Sequence, residues 1–157
     1  MGVGVPNVRN VIHMAGMFEH AKSFNQNLSN WLVSKKTDIT DMFLGASAFN
    51  QDISNWNVSS SITMRDMFQG ASSFNQTIGD WDISKVNRTD NMFREAISFN
   101  QDVGSWDVSN VSNMNNMFNG AGLSTKTYDE ILKGWATQEL ISNINLGAEG
   151  INYCNSE

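Results

Sequence analysis

Cysteine is almost absent from this chain: its 157 residues include one, Cys154. A lone cysteine excludes an internal disulfide framework and any zinc site built on cysteine pairs. Histidine is limited to His13 and His20. Cationic charge is scarce too, with ten Lys and Arg against sixteen Asp and Glu and a net charge of −6. That balance, without any run of Lys or Arg, argues against a nucleic-acid-binding surface. No stretch approaches the ~18 apolar residues of a membrane-spanning helix. The opening MGVGVPNVRN has neither a basic start nor a long apolar stretch, so no secretory signal is visible in it.

What the chain does have is a repeat. Hydrophobic residues make up 40% of it, enough for a folded domain, and its length suits one. Met-Phe falls at 17–18, 42–43, 67–68, 92–93 and 117–118, always 25 residues apart. Alanine follows each Phe by three residues: Ala21, Ala46, Ala71, Ala96, Ala121. Phe-Asn-Gln begins at 24, 49, 74 and 99, and Trp stands at 31, 56, 81 and 106. All nine phenylalanines lie in these repeats. A fixed period in this range is the signature of stacked coils that share one core.

Within a coil the apolar spacing changes. Ile53, Trp56 and Val58 follow L-x-x-L-x-L, the pattern of a leucine-rich repeat, and Trp56 and Val58 alternate as on a strand face. Val111, Met114, Phe118 and Ala121 then mark one face of a helix, or of one or two 3₁₀-like turns. Ser34, Ser59, Ser84 and Ser109 precede that run and suit a turn or an N-cap. The expected fold class is therefore α/β: a right-handed solenoid of 25-residue leucine-rich-like repeats, with parallel strands, short helices and a helix-plus-strand C-terminal cap. Residues 1–157 read as a single repeat domain, with a partial first coil at 1–20, tandem repeats at 21–121 and the cap at 122–157. Phe24, Phe49, Phe74 and Phe99 are expected to stack inside, as are Trp31, Trp56, Trp81 and Trp106. Asn25, Asn50, Asn75 and Asn100 are expected beside the phenylalanines, satisfying backbone groups where the chain turns.

The two ends break the pattern differently. Val3, Pro6, Val8 and Val11 keep the strand spacing with Pro in place of Trp, and no amphipathic cap precedes them. Uncovered first coils expose edges, so either further repeats upstream, the favoured expectation, or a weak plug by Pro6 and the short tail is expected. At the other end, Thr127 and Glu130 have capping-box spacing, and Tyr128, Ile131, Leu132 and Trp135 form one helix face weakened late by Gly134. Ile144 and Leu146 then alternate like one more strand.

The stretch MFQGASSFNQTIGDWDIS with its copies, and the ending GLSTKTYDEILKGWATQEL, resemble the BspA-like surface proteins. Pro6, Leu32 and Lys36 depart from that pattern in the first coil. The resemblance implies a bacterial, extracellular or cell-surface lipoprotein or adhesin that binds host protein, without catalytic residues.

The remaining chemistry is sparse. His13 and His20 have no repeated partner and read as solvent-facing. Asp52 and Asp102 are too isolated for a calcium-binding array. Cys154 reads as a packed cap residue. No catalytic, cofactor-binding or metal-ligating residue is assigned, and no cofactor is expected. The outward strand positions supply the candidate ligand face: Asn55, Asn57, Asp80, Asp82, Ser105 and Asp107. The functional expectation is non-enzymatic binding or adhesion to an extracellular protein or glycan through this extended face. A structural spacer or stalk at the cell envelope is the alternative.

Overall fold

The computed structural model describes residues 8, 10–31, 33 and 38–153. Pro6, Leu32, Ser34, Lys36 and Cys154 lie outside them. Among the described residues one regular element forms, the helix α1 at Thr125–Trp135. No strand forms among them, and parallel pairing is confined to isolated bridges at His13–Asp38, Thr63–Arg88, Arg88–Asn113 and Met114–Leu146. The expected α/β solenoid of leucine-rich-like repeats, with parallel strands and a short helix per coil, is thereby corrected. The described residues form a stack of turns with one helix, α1, after the last coil.

The reason lies in how the backbone distributes its hydrogen bonds. In the coil around Phe43, the N–H groups of Met42, Leu44 and Ala46 donate back to Ile39, Asp41 and Phe43 carbonyls at 3.3, 3.0 and 3.0 Å. The intervening N–H groups of Asp41, Phe43 and Gly45 donate outward, to Arg65, Met67 and Gln69 of the next coil at 3.1, 2.9 and 2.7 Å. A helix sends every N–H back along its own chain, and a strand sends them all to neighbours. This segment alternates between the two, so neither element propagates.

Left-handed backbone makes the alternation possible. One column of such residues is Gly16, Asp41, Asp66, Asn91 and Asn116, with φ of 63, 56, 55, 55 and 56°. The second is His20, Gly45, Gly70, Glu95 and Gly120, with φ of 55, 68, 68, 60 and 68°. The first uses Gly, Asp and Asn, the residue types that enter this region most readily. The signal is present in the sequence, as the residue before every Met-Phe, but the apolar spacing alone reads as a helical face through it.

The core runs the length of the stack. Phe18, Phe43, Phe68, Phe93 and Phe118 form one column with successive ring centroids 5.5, 5.6, 5.7 and 5.8 Å apart. Phe24, Phe49, Phe74 and Phe99 form the second, at 6.0, 5.9 and 6.2 Å. Within each coil the two rings face each other closely, as in Phe68–Phe74 at 4.0 Å. Trp56, Trp81 and Trp106 are buried, and their indole N–H groups donate to Leu28, Ile53 and Ile78 carbonyls one coil earlier at 3.4, 3.3 and 3.1 Å. Phe24 and Trp31, in the first coil, are only partly buried.

The cap continues these columns with different chain. Trp135 follows Trp106 by more than one period, yet its indole donates to the Val103 carbonyl at 3.1 Å and its ring lies 6.1 Å from Phe118. Those are the contacts Trp106 makes with Ile78 and Phe93. Tyr128 and Ile131 complete the buried face of α1. The cap residue is Ser124, whose hydroxyl accepts from Thr127 N–H at 3.2 Å, so the capping-box pairing of Thr127 with Glu130 is corrected. Gln138 closes the exposed backbone: its amide accepts from Val108 N–H at 2.9 Å and donates to the Trp106 carbonyl at 2.8 Å. Ile144 and Leu146 form no strand, but Gly147 and Glu149 carbonyls accept from Phe118 and Gly120 N–H groups at 2.8 and 2.9 Å.

Candidate functional surface

The asparagine column is a ladder on the outside of the stack. Asn25 Oδ1 accepts the backbone N–H of Asn50, Asn50 Oδ1 that of Asn75, and Asn75 Oδ1 that of Asn100, each at 2.9 Å. Ser124 N–H ends the series on Asn100 Oδ1 at 2.9 Å. The glutamines reinforce it: Gln51, Gln76 and Gln101 Nε2 donate to the Oδ1 atoms of Asn25, Asn50 and Asn75 at 2.9, 2.8 and 2.8 Å. Those three Oδ1 atoms thus carry two bonds each, and Nδ2 is the polar group left for an outside partner. Asn25, Asn75 and Asn100 are exposed and Asn50 is half-buried. Phe49, Phe74 and Phe99, the neighbours in sequence, point into the core at full burial.

Most residues of the expected ligand face hold the fold. Asn57, Asp82 and Asp107 Oδ1 each accept the N–H and hydroxyl of the serine two residues on, with hydroxyl distances of 2.7, 2.7 and 2.6 Å to Ser59, Ser84 and Ser109. These are Asx turns, for which Asn and Asp serve equally. The serine hydroxyl, seconded by the backbone N–H, holds the Asp82 and Asp107 carboxyls below the usual range. Asn55 Nδ2 donates to the Ser29 carbonyl at 2.7 Å, and Ser105 Oγ to the Gly79 carbonyl at 2.9 Å. Asp80 is exposed. Asp52 and Asp102 accept Ser54 and Gly104 N–H groups at 2.9 and 2.8 Å, so they too close turns.

A second polar ridge follows the first left-handed column, which the sequence reading did not single out. Arg65 reaches Asp41 at 3.1 Å and Asp66 at 3.3 Å, and Arg88 pairs with Asp90 at 2.8 Å. Burial pushes the Asp66 carboxyl up, against a hydrogen bond from the Asn91 side chain and the charge of Arg65. His13 and His20 are exposed, His20 lying 3.6 Å from Glu19. Among the described residues no group of three or more His, Cys, Asp or Glu is placed to hold a metal ion. No described helix is long and apolar enough to cross a membrane. Beside the cap, Met114, Leu132, Trp135, Leu140, Ile144 and Leu146 line an apolar cleft of about 280 Å³.

No curated protein and no solved structure matches the chain. A family profile matches it twice, over residues 2–96 and 52–152, together spanning nearly all of the repeat array and the cap. The chain belongs to the family described as Mycoplasma protein of unknown function, DUF285.

Proposed function

We propose that this chain is a non-enzymatic binding module of the cell surface, contacting an extended protein or glycan through its asparagine–glutamine ladder. The observation that supports this is the division of labour within each amide. Oδ1 is spent on the stack, so Nδ2 of Asn50, Asn75 and Asn100 forms a row of outward donors repeating once per coil. Extended polymers carry acceptors at regular intervals, and repeat proteins engage such ligands through long faces of this kind.

The test uses Asn→Asp, which retains an Oδ1 for the ladder and removes the outward donor. A glycan array and a panel of immobilised extracellular matrix proteins are screened with the unmodified domain, then with Asn50→Asp and Asn100→Asp combined. Binding that drops at least about tenfold with an unchanged melting profile supports the reading. Binding that survives the pair removes the ladder as the contact. A spacer role is favoured by one specific finding, the turn-closing duty of Asn57, Asp82 and Asp107. Absence of any binder in the screen would favour that second reading.

A further inference from the structure

Asn119–Gly120 is the one Asn-Gly pair in the sequence. The equivalent pairs in earlier coils are Glu19–His20, Leu44–Gly45, Gln69–Gly70 and Arg94–Glu95. In Asn-Gly a backbone nitrogen attacks a side-chain amide most readily, because Asn closes a five-membered ring and glycine has no Cβ in the way. Water can reach the pair: Asn119 is half-buried, Gly120 is exposed, and they border a cleft of about 260 Å³ with Arg94, Glu95 and Glu149. What restrains it is the cap segment 147–151. The Gly120 N–H donates to the Glu149 carbonyl, and the Glu149 N–H donates to Asn119 Oδ1, both at 2.9 Å. Asn119 Nδ2 reaches Asn116 Oδ1 at 3.3 Å and Glu149 Oε2 at 3.4 Å. One residue, Glu149, thus binds both the attacking nitrogen and the amide that it would attack. The segment is seated closely, since a Cβ on Gly147 would collide with the Asn116 backbone nitrogen.

We propose that Asn119 is a deamidation site gated by segment 147–151, and that its conversion releases that segment one way. This reading is independent of what the outer ladder binds. While the segment is seated, the Gly120 N–H is engaged and the Asn119 amide is fixed through Oδ1. When the segment lifts, hydroxide removes the Gly120 proton and the nitrogen bonds to Asn119 Cγ. The Cγ–Nδ2 bond breaks, and Nδ2 leaves as ammonia after taking a proton from water. Water then opens the cyclic imide at either carbonyl, giving Asp or isoaspartate; nothing is oxidised or reduced. Both products oppose reseating. Asp puts a carboxylate where the Nδ2 donor faced Glu149 Oε2, which sets like charges together. Isoaspartate leaves a free carboxylate too, and adds a methylene to the backbone before Gly120, moving its N–H off the Glu149 carbonyl.

The experiment incubates the chain in mildly alkaline buffer and follows Asn119 by peptide mass spectrometry. Conversion in the folded chain should be at least about tenfold slower than in the same chain unfolded by urea, because reaction requires local opening. Gly147→Ala, which wedges the segment off Asn116, should recover most of that difference while tryptophan fluorescence reports an intact stack. Equal rates in folded and unfolded chain would overturn the gate, and so would a folded Gly147→Ala chain that reacts no faster than the original. If Gly147→Ala does not fold, low urea replaces it: conversion rising before the fluorescence transition supports the gate, and conversion rising only with that transition overturns it. Hydrogen exchange of the Gly120 and Glu149 amides tests the release. Fully converted chain should lose protection there by at least about tenfold. Asn119→Gln, matching Gln69 before Gly70, should keep its protection through the same incubation. Unchanged protection in converted chain, or equal loss in Asn119→Gln, would overturn the one-way release.

Discussion

The backbone of Gly134 rests against the backbone of Gly104: a Cβ on Gly134 would lie 2.9 Å from the Gly104 Cα and closer still to its carbonyl. The contact is reciprocal, since a Cβ on Gly104 would meet the Glu130 carbonyl at 2.9 Å and the Ile131 Cα at 3.2 Å. Two glycines therefore set how closely α1 approaches the last coil, and with it the depth of Trp135.

The first prediction follows, and its sign is diagnostic. Gly→Ala inside a helix ordinarily stabilises by about 1 kcal/mol. Here Gly134→Ala should destabilise, by roughly 1–3 kcal/mol as an overpacked contact. Urea melts decide between the two. A stabilised variant would show that the helix stands off the coil.

Glu95 occupies a left-handed position that Gly45, Gly70 and Gly120 hold in other coils. A left-handed non-glycine residue costs about 1–2 kcal/mol, part of which the entropy of an unfolded glycine returns. Glu95→Gly should therefore stabilise by about 0.5–1 kcal/mol. The contact of Glu95 with Arg94 at 3.5 Å is exposed and contributes little against this. The reverse change, Gly70→Ala, should destabilise, and thermal melts of the pair test both directions.

Thr89 is fully buried at the position taken by Ile39, Met64 and Met114 in other coils, and its hydroxyl contacts Met117 Sδ at 3.3 Å. Sulfur is a weak acceptor, so most of the desolvation cost of that hydroxyl is uncompensated. Thr89→Val should raise stability by about 1 kcal/mol. An unchanged or lowered urea midpoint would mean that the hydroxyl has a better partner in solution.

Asn75→Ala removes the acceptor for Asn100 N–H and for Gln101 Nε2. A cost of about 0.5–1.5 kcal/mol is expected for these exposed bonds, whereas Asn75→Asp, which keeps the acceptor, should cost well under half of that. Equal losses would mean that the ladder is incidental.

Acid should act on the carboxyls in opposite directions. Asp52, Asp82 and Asp107 are held below their ordinary range by hydrogen bonds to Ser54, Ser84 and Ser109. Their stabilisation is present above the unfolded-state carboxylate range and is lost as pH falls through the lower folded values. Asp66 is raised by burial, so its ionised form is disfavoured in the folded state. Its contribution grows as pH falls from the raised value to the unfolded one. Asp66→Asn, which resembles Asn91 and Asn116 in the same column, should raise the melting temperature at neutral pH by on the order of a degree or two. That advantage should shrink as pH falls below the raised folded value and vanish well below the ordinary aspartate value of about 3.9, where the carboxyl is protonated in both states.

The period and the inward-facing residues were legible in the chain. The repeat length fixes which residues align, and alignment fixes the Phe and Trp columns. The secondary structure was not legible, because the spacing of Val111, Met114 and Phe118 states only which residues face inward. Helices share that spacing with a path of successive turns, and the difference lies in backbone φ at Asp41 and Gly45. Asp, Asn or Gly before Met-Phe carried that information. On the surface, Asn57, Asp82 and Asp107 were read as outward positions of a ligand face. In the folded chain all three close turns, a role visible only once Ser59, Ser84 and Ser109 are seen to bond them.

The unbroken bonding from coil to coil also says something about the gene. One codon gained or lost inside a bonded segment would move the N–H groups, rings and amides after it away from their partners until a loop absorbed the offset, as the longer path from Trp106 to Trp135 does. A replication slip of twenty-five codons shifts everything by one whole coil and leaves each contact as it was. Such a gene can change the length of its product in whole steps without disturbing a contact, whereas a smaller change needs a loop to take it up.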